Sequence, residues 1–173
     1  MSQRILKISA AALLLLCACT APAQAPPAPS SPSFYLTPYG PPVTVDAAKK
    51  VAAAALAEAR KNNWLMVVAV VDPSGNLVYY EKMDNVQMGS ARVAINKARS
   101  AALYKRPTKL LQDNLASGGA GVRVLALEGA VPVEGGVPLV VDGKIIGAIG
   151  LSGDLSEHDG QCAAAGVAAL KQP

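Results

Sequence analysis

Apolar residues recur along this chain with two different periods, and the change of period marks out the elements. Ala48, Val51, Ala52, Ala55, Leu56 and Ala59 fall three and four positions apart, the spacing of one helical face. They predict a helix over residues 47–62, with Thr44 or Asp46 as its cap. Residues 66–72, Met-Val-Val-Ala-Val-Val-Asp, are a β-branched run that predicts a strand buried on both faces. Pro73-Ser74-Gly75-Asn76 supplies a turn, and residues 77–83 return as a second strand, which makes a hairpin. The helical period resumes over 90–105, with Val93, Ala94, Ala98, Ala101 and Ala102 as its apolar positions. Pro107 fits the first turn of a short third helix reaching Leu115.

The second half is looser at first and then strongly patterned. Glycines at 118, 119 and 121 open a loop, followed by short apolar runs at 122–127 and 130–133 on either side of Glu128-Gly129. Residues 136–141 and 144–151 flank Asp142-Gly143, a strong short-range hairpin signal. Ser156 opens a last, alanine-rich helix to Leu170, with Asp159 three residues on as a variant capping box. Hairpins rather than βαβ crossovers imply an α+β fold, a mostly antiparallel sheet with helices packed on it.

The first residues belong to neither pattern. Arg4 and Lys7 precede an apolar run over 8–16 that is too short to span a bilayer, which is the form of an export signal. Two processing routes are open: cleavage after Ala23 or Ala25, or lipidation of Cys19 within Leu16-Cys17-Ala18-Cys19, a lipobox-like sequence. Residues 22–42 are proline-rich and nearly uncharged, so they suit an extended tether and cannot bury a core. Phe34, Tyr35 and Tyr39 are its candidates for docking on the domain. The organisation expected is a signal with a lipobox over 1–19, a tether over 20–43 and one domain over 44–173. The mature protein is then periplasmic or an outer-membrane lipoprotein, held to the membrane through the anchor if Cys19 is modified.

Charge and composition remove several function classes. The formal charge of +4 falls to about +2 once Arg4 and Lys7 are removed, and no basic run is interleaved with aromatics. Nucleic-acid binding therefore has little support. With Cys17 and Cys19 removed or modified, Cys162 stands alone and no intrachain disulfide can form. One histidine, no G-x-S-x-G, no Cys-His pair and no phosphate loop argue against a hydrolase or kinase.

The ordered motifs resemble a known family. Val68-Ala69-Val70-Val71-Asp72-Pro73-Ser74-Gly75, Lys82-Met83-Asp84, Ala94 with Lys97-Ala98, and Pro107-Thr108 come first. Gly135-Gly136-Val137-Pro138, Asp142-Gly143, residues 146–153 and Asp159 with Ala163, Ala165 and Gly166 follow in order. Together they resemble the GlcG/HbpS-like family of haem-binding or haem-degrading domain proteins, over roughly residues 44–171. The resemblance implies a profilin-like α/β/α sandwich with a mostly antiparallel five-stranded sheet, assembled into homo-oligomers. It implies haem as cofactor, and a protein that captures, senses or buffers haem or a related tetrapyrrole. The alternatives are a small oxidoreductase or haem-degrading enzyme, or a carboxylate-binding module linked to glycolate-type metabolism.

Candidate ligand-binding residues follow from these motifs. Met83 offers a thioether to haem iron, and Asp84 offers a carboxylate to iron or to a neighbouring subunit. Lys97 is placed to pair with a haem propionate or another carboxylate. In the family the Thr108 segment lies near the proposed haem site. Gly135, Gly136, Val137 and Pro138 form a backbone-lined wall that a ligand can approach closely. Tyr79 and Tyr80 point to opposite sides of their strand, where either can stack on a porphyrin or fill space. His158 lies in the first turn of the last helix, where the dipole favours a neutral imidazole able to ligate a metal, and Cys162 is one turn further on.

Overall fold

The structure, a computed structural model, describes residues 34–170. The expected export signal, Cys19 and the first part of the expected tether lie outside the described residues. Four helices and four strands follow in the order α1 (Val45–Lys61), β1 (Val67–Val71), β2 (Leu77–Lys82), α2 (Ser90–Leu103), α3 (Thr108–Ala116), β3 (Gly136–Val141), β4 (Lys144–Ser152) and α4 (Ser156–Ala169). A 3₁₀ segment, Gly119–Ala126, lies between α3 and β3. No helix among the described residues is long and apolar enough to cross a membrane.

The sheet is antiparallel throughout, ordered β2-β1-β4-β3. Its centre is β1, which explains the unbroken β-branched run: all five of its residues are buried. Val68 and Val70 join Val51, Ala55, Leu56, Ile149 and Ala163 in a core between the sheet and the α1–α4 layer. Val67, Ala69 and Val71 point the other way, into a second core with Ala94, Ala98, Ala101 and Ala148 beneath α2. The result is three layers with helices on both faces of one sheet.

Small side chains let α2 come very close to that sheet. A Cβ on Gly150 would stand 2.2 Å from the Ala94 carbonyl oxygen and 2.5 Å from the Ala98 nitrogen. On the other face Thr44 caps α1 as expected, its hydroxyl accepting the Ala47 N–H at 3.2 Å.

Three expectations are corrected. The sheet has four strands, not five. Residues 122–126 instead belong to the 3₁₀ segment, and 130–133 joins no strand. Val124 is the buried residue of that 3₁₀ segment, while Val122 and Leu125 are left exposed. Val93 is also turned outward, 37% exposed. The capping box at α4 does not form: Leu155 is the cap residue, no side chain caps the helix, and Asp159 points elsewhere.

The segment just ahead of α1 lies on the domain. Residues 38–43 run beside the start of β4, beyond the point where β1 has ended. Gly40 N–H donates to Ile145 O at 2.8 Å, Ile145 N–H to Pro38 O at 2.9 Å, and Val43 N–H to Ile146 O at 2.7 Å. Two cations from the α2–α3 turn clamp this strap. Lys105 Nζ sits 4.3 Å from the Tyr39 ring centroid and donates to Thr37 O at 2.9 Å. The Arg106 guanidinium lies 4.1 Å over the Tyr35 ring and donates to its hydroxyl at 2.6 Å. Tyr39 in turn donates to Ala102 O at 3.0 Å, at the C-terminal end of α2.

Candidate functional site

The candidate residues fall into three places. The first is a buried polar centre at the start of β3. Lys97 leaves α2 on one face of the sheet, and Asp159 leaves α4 on the other. They meet with Lys97 Nζ 2.6 Å from Asp159 Oδ2, their side chains 1% and 3% exposed. The contact is possible because the chain passing between the two layers is Gly135-Gly136. A Cβ on Gly135 would lie 2.7 Å from Asp159 Cβ and 3.0 Å from Lys97 Nζ; one on Gly136 would lie 2.4 Å from the Lys97 carbonyl oxygen. Gly135 also has φ +126°, a conformation open to glycine.

Thr108 completes this centre. Fully buried at the start of α3, it accepts the Gly136 N–H on Oγ1 at 2.9 Å. Val137 and Pro138 continue into β3, half-buried and buried respectively. Burial pushes the Asp159 carboxyl up to about 6, although the Lys97 ammonium and the Gly153 and Asp154 amides pull it back. Those amides still leave Asp159 Oδ1 buried without a closed hydrogen bond. Lys97, Thr108, Gly135 and Gly136 thus come together, around the carboxylate of Asp159, whose place in the sequence suggests a helix cap.

The second place is an open groove of about 450 Å³ at the exit of β2, lined by Arg60, Leu65, Glu81, Lys82, Met83, Asp84 and Asn85. Met83 Sδ accepts the Met66 N–H at 3.3 Å, which fixes the thioether while leaving it a second lone pair. Arg60 meets Glu81 at 3.4 Å, an exposed pair worth little energetically. Asp84 is exposed at the rim. The groove therefore offers a soft sulfur, one apolar wall, two cations and two carboxylates.

His158 occupies the third place. Its ring stacks on Trp64 with centroids 3.8 Å apart, and Nδ1 is buried 3.5 Å from Asp154 Oδ1. That leaves Nε2 as the nitrogen for any ligand. Among the described residues no three His, Cys, Asp or Glu side chains are grouped to hold a metal ion. Cys162, four residues further along α4, is buried in the core, its thiol pushed up to about 12 chiefly by burial. Tyr79 donates to Glu81 Oε2 at 2.9 Å, so its hydroxyl is committed within β2.

Two signals for the buried pair were present in the sequence. Lys97 lies three residues after Ala94 and four before Ala101, within the apolar stripe of α2, so its burial follows from helical spacing. Asp159 precedes an apolar, alanine-rich stretch that faces the core. The partnership itself joins residues 62 positions apart and left no local trace.

Similar proteins are known. GlcG of Escherichia coli K12 is 41% identical over 105 residues, which are 61% of this chain and 77% of that protein. A crystallised double mutant of HbpS from Streptomyces reticuli is 32% identical, with TM-score 0.70 over 87% of this chain and all of that one. A crystal structure of a PduOC–haem complex is 26% identical, with TM-score 0.68 over 75% of this chain and 96% of that one. The family model described as "Haem degrading protein HbpS-like" matches residues 43–168, from the strap to the end of α4. With the ordered motifs and the three-layered antiparallel fold, this match places the chain in the HbpS-like family.

Proposed function

We propose that this is an exported haem- or tetrapyrrole-binding protein that captures, senses or buffers its ligand as an oligomer, with no strong enzymatic activity. The groove at Met83 and Asp84 is its binding surface. The observation that carries this reading is the groove's combination of groups. A porphyrin needs an apolar wall, cations for its propionates and a soft ligand for iron; Leu65, Arg60 with Lys82, and the Met83 thioether supply them in that order. The PduOC–haem complex supports the assignment, because a chain of similar fold was crystallised with haem. Export and anchoring rest on the basic and apolar start of the sequence and on Cys19. Oligomerisation is part of what the family resemblance implies.

Hemin titration of the purified protein tests the reading. A saturable Soret band is expected, with affinity reduced roughly tenfold or more in Met83→Ala and Arg60→Ala. His158→Ala should leave the band unchanged, because His158 does not line the groove. A band that fails to saturate, or that ignores both groove variants, removes this function. Loss of the band under reductant with release of iron would instead favour the haem-degrading alternative that the family description names.

A further inference from the structure

A smaller open pocket lies away from the groove, between α3 and the 3₁₀ segment. Its volume is about 180 Å³. That is below the roughly 300–1,000 Å³ of sites that hold drug-sized ligands, so a porphyrin does not fit. Its floor is apolar: Leu111 and Val124 are 1% and 5% exposed, and Leu127 closes one side. Its polar groups are Arg106, Arg123 and Asn114.

The two arginines differ in how they are held. Arg106 is fixed on three sides: Nε donates to Tyr104 O at 2.8 Å, Nη1 donates to the Tyr35 hydroxyl at 2.6 Å, and the Tyr35 ring lies against the guanidinium. Its Nη2 has no partner among the described residues. Arg123 makes no hydrogen bond or ion pair among the described residues. The nearby acid on α3 is occupied elsewhere, since Asp113 pairs with Lys109 at 2.9 Å. Two uncompensated guanidiniums therefore flank a cavity whose floor is hydrocarbon, and guanidinium forks match planar carboxylates.

We propose that this cavity binds a small organic carboxylate with an apolar body, its anion held by Arg106 and Arg123 and its body seated on Leu111, Val124 and Leu127. The strap takes part through Tyr35, which fixes the orientation of Arg106. The site is separate from the haem groove, so it stands or falls independently of the haem reading.

Benzoate is a suitable probe, followed through the methyl resonances of Leu111, Val124 and Leu127 in the haem-free protein. Saturable shifts of these methyls are expected with benzoate, weakened roughly tenfold or more in Arg123→Gln and in Arg106→Gln. Benzamide, which keeps the ring but loses the charge, should bind at least about tenfold more weakly. Inorganic phosphate should not move these methyls. The proposal is overturned if benzoate gives no saturable shift, if benzamide binds as tightly, or if phosphate reproduces the shifts. Arg123 is exposed and unpaired, so its variant tests the site without disturbing the fold.

Discussion

Lys97 and Asp159 join the two helical layers beside the start of β3, the edge strand of the sheet. Their 2.6 Å contact passes beside Gly135, and neither side chain is more than 3% exposed. Removing one partner leaves the other charged and unpaired in the interior. Lys97→Ala or Asp159→Ala is therefore expected to cost roughly 3–5 kcal/mol. The double replacement Lys97→Met with Asp159→Leu should recover most of that loss. Urea denaturation of the three variants checks it; equal stabilities for the single and double variants would show that the charges do not act as a pair.

The same pair sets a pH dependence. Asp159 has its carboxyl pushed from 3.8 to about 6 by burial, so between those values the folded chain keeps a proton that the unfolded chain has released. This group's contribution to stability is fully present below about pH 4 and is lost as the pH rises through 6. Glu58 and Asp72, whose carboxyls are lowered, act in the opposite sense and lose stability in acid. The difference in unfolding free energy between wild type and Lys97→Met/Asp159→Leu, followed from pH 4 to 7, isolates the Asp159 contribution. It should shift against the wild type as pH rises; a flat difference contradicts the assignment.

Gly150 sets the distance between α2 and the sheet. An added Cβ meets backbone atoms of Ala94 and Ala98, which no side-chain rotation can relieve. Gly150→Ala should destabilise the fold by roughly 1–3 kcal/mol or more. Because Lys97 lies between those two contacts, the variant should also loosen the buried pair. Equilibrium unfolding gives the first quantity, and Lys97 ammonium resonances report the second.

Cys162 is expected to be inert in the folded protein. It is fully buried, and its thiol is pushed up to about 12, so reactive thiolate is scarce near neutral pH. Ellman's reagent should label it only at the rate of unfolding, and rapid labelling under native conditions would contradict the packing.

The helices and hairpins were legible because their causes are local. Thr44 caps α1, Asp142-Gly143 turns the β3–β4 hairpin, and the β-branched run of β1 reflects cores on both faces. The supposed fifth strand failed for an equally physical reason. Valine and leucine at 122–127 carry β propensity, but the segment coils as a 3₁₀ run beside α3 and buries only Val124. The candidate site was legible in its parts and not in its pairings. Lys97, Thr108, Gly135 and Gly136 were each marked by their motifs, but Asp159 was read as a helix cap because its true partner lies across the sheet.

The strap has a mechanical consequence. Any pull on the chain ahead of residue 34 reaches the Tyr35–Arg106 contact first. It then meets the Lys105 grip on Thr37 and Tyr39, and next the hydrogen bonds between Pro38, Gly40 and Ile145. These links are strung in series and are individually weak; exposed cation–π contacts contribute about 0.5–1 kcal/mol each. They would yield one after another before tension arrived at Val43 and α1. The domain core is thereby insulated from force applied ahead of residue 34, and the first link to give is the one that orients Arg106.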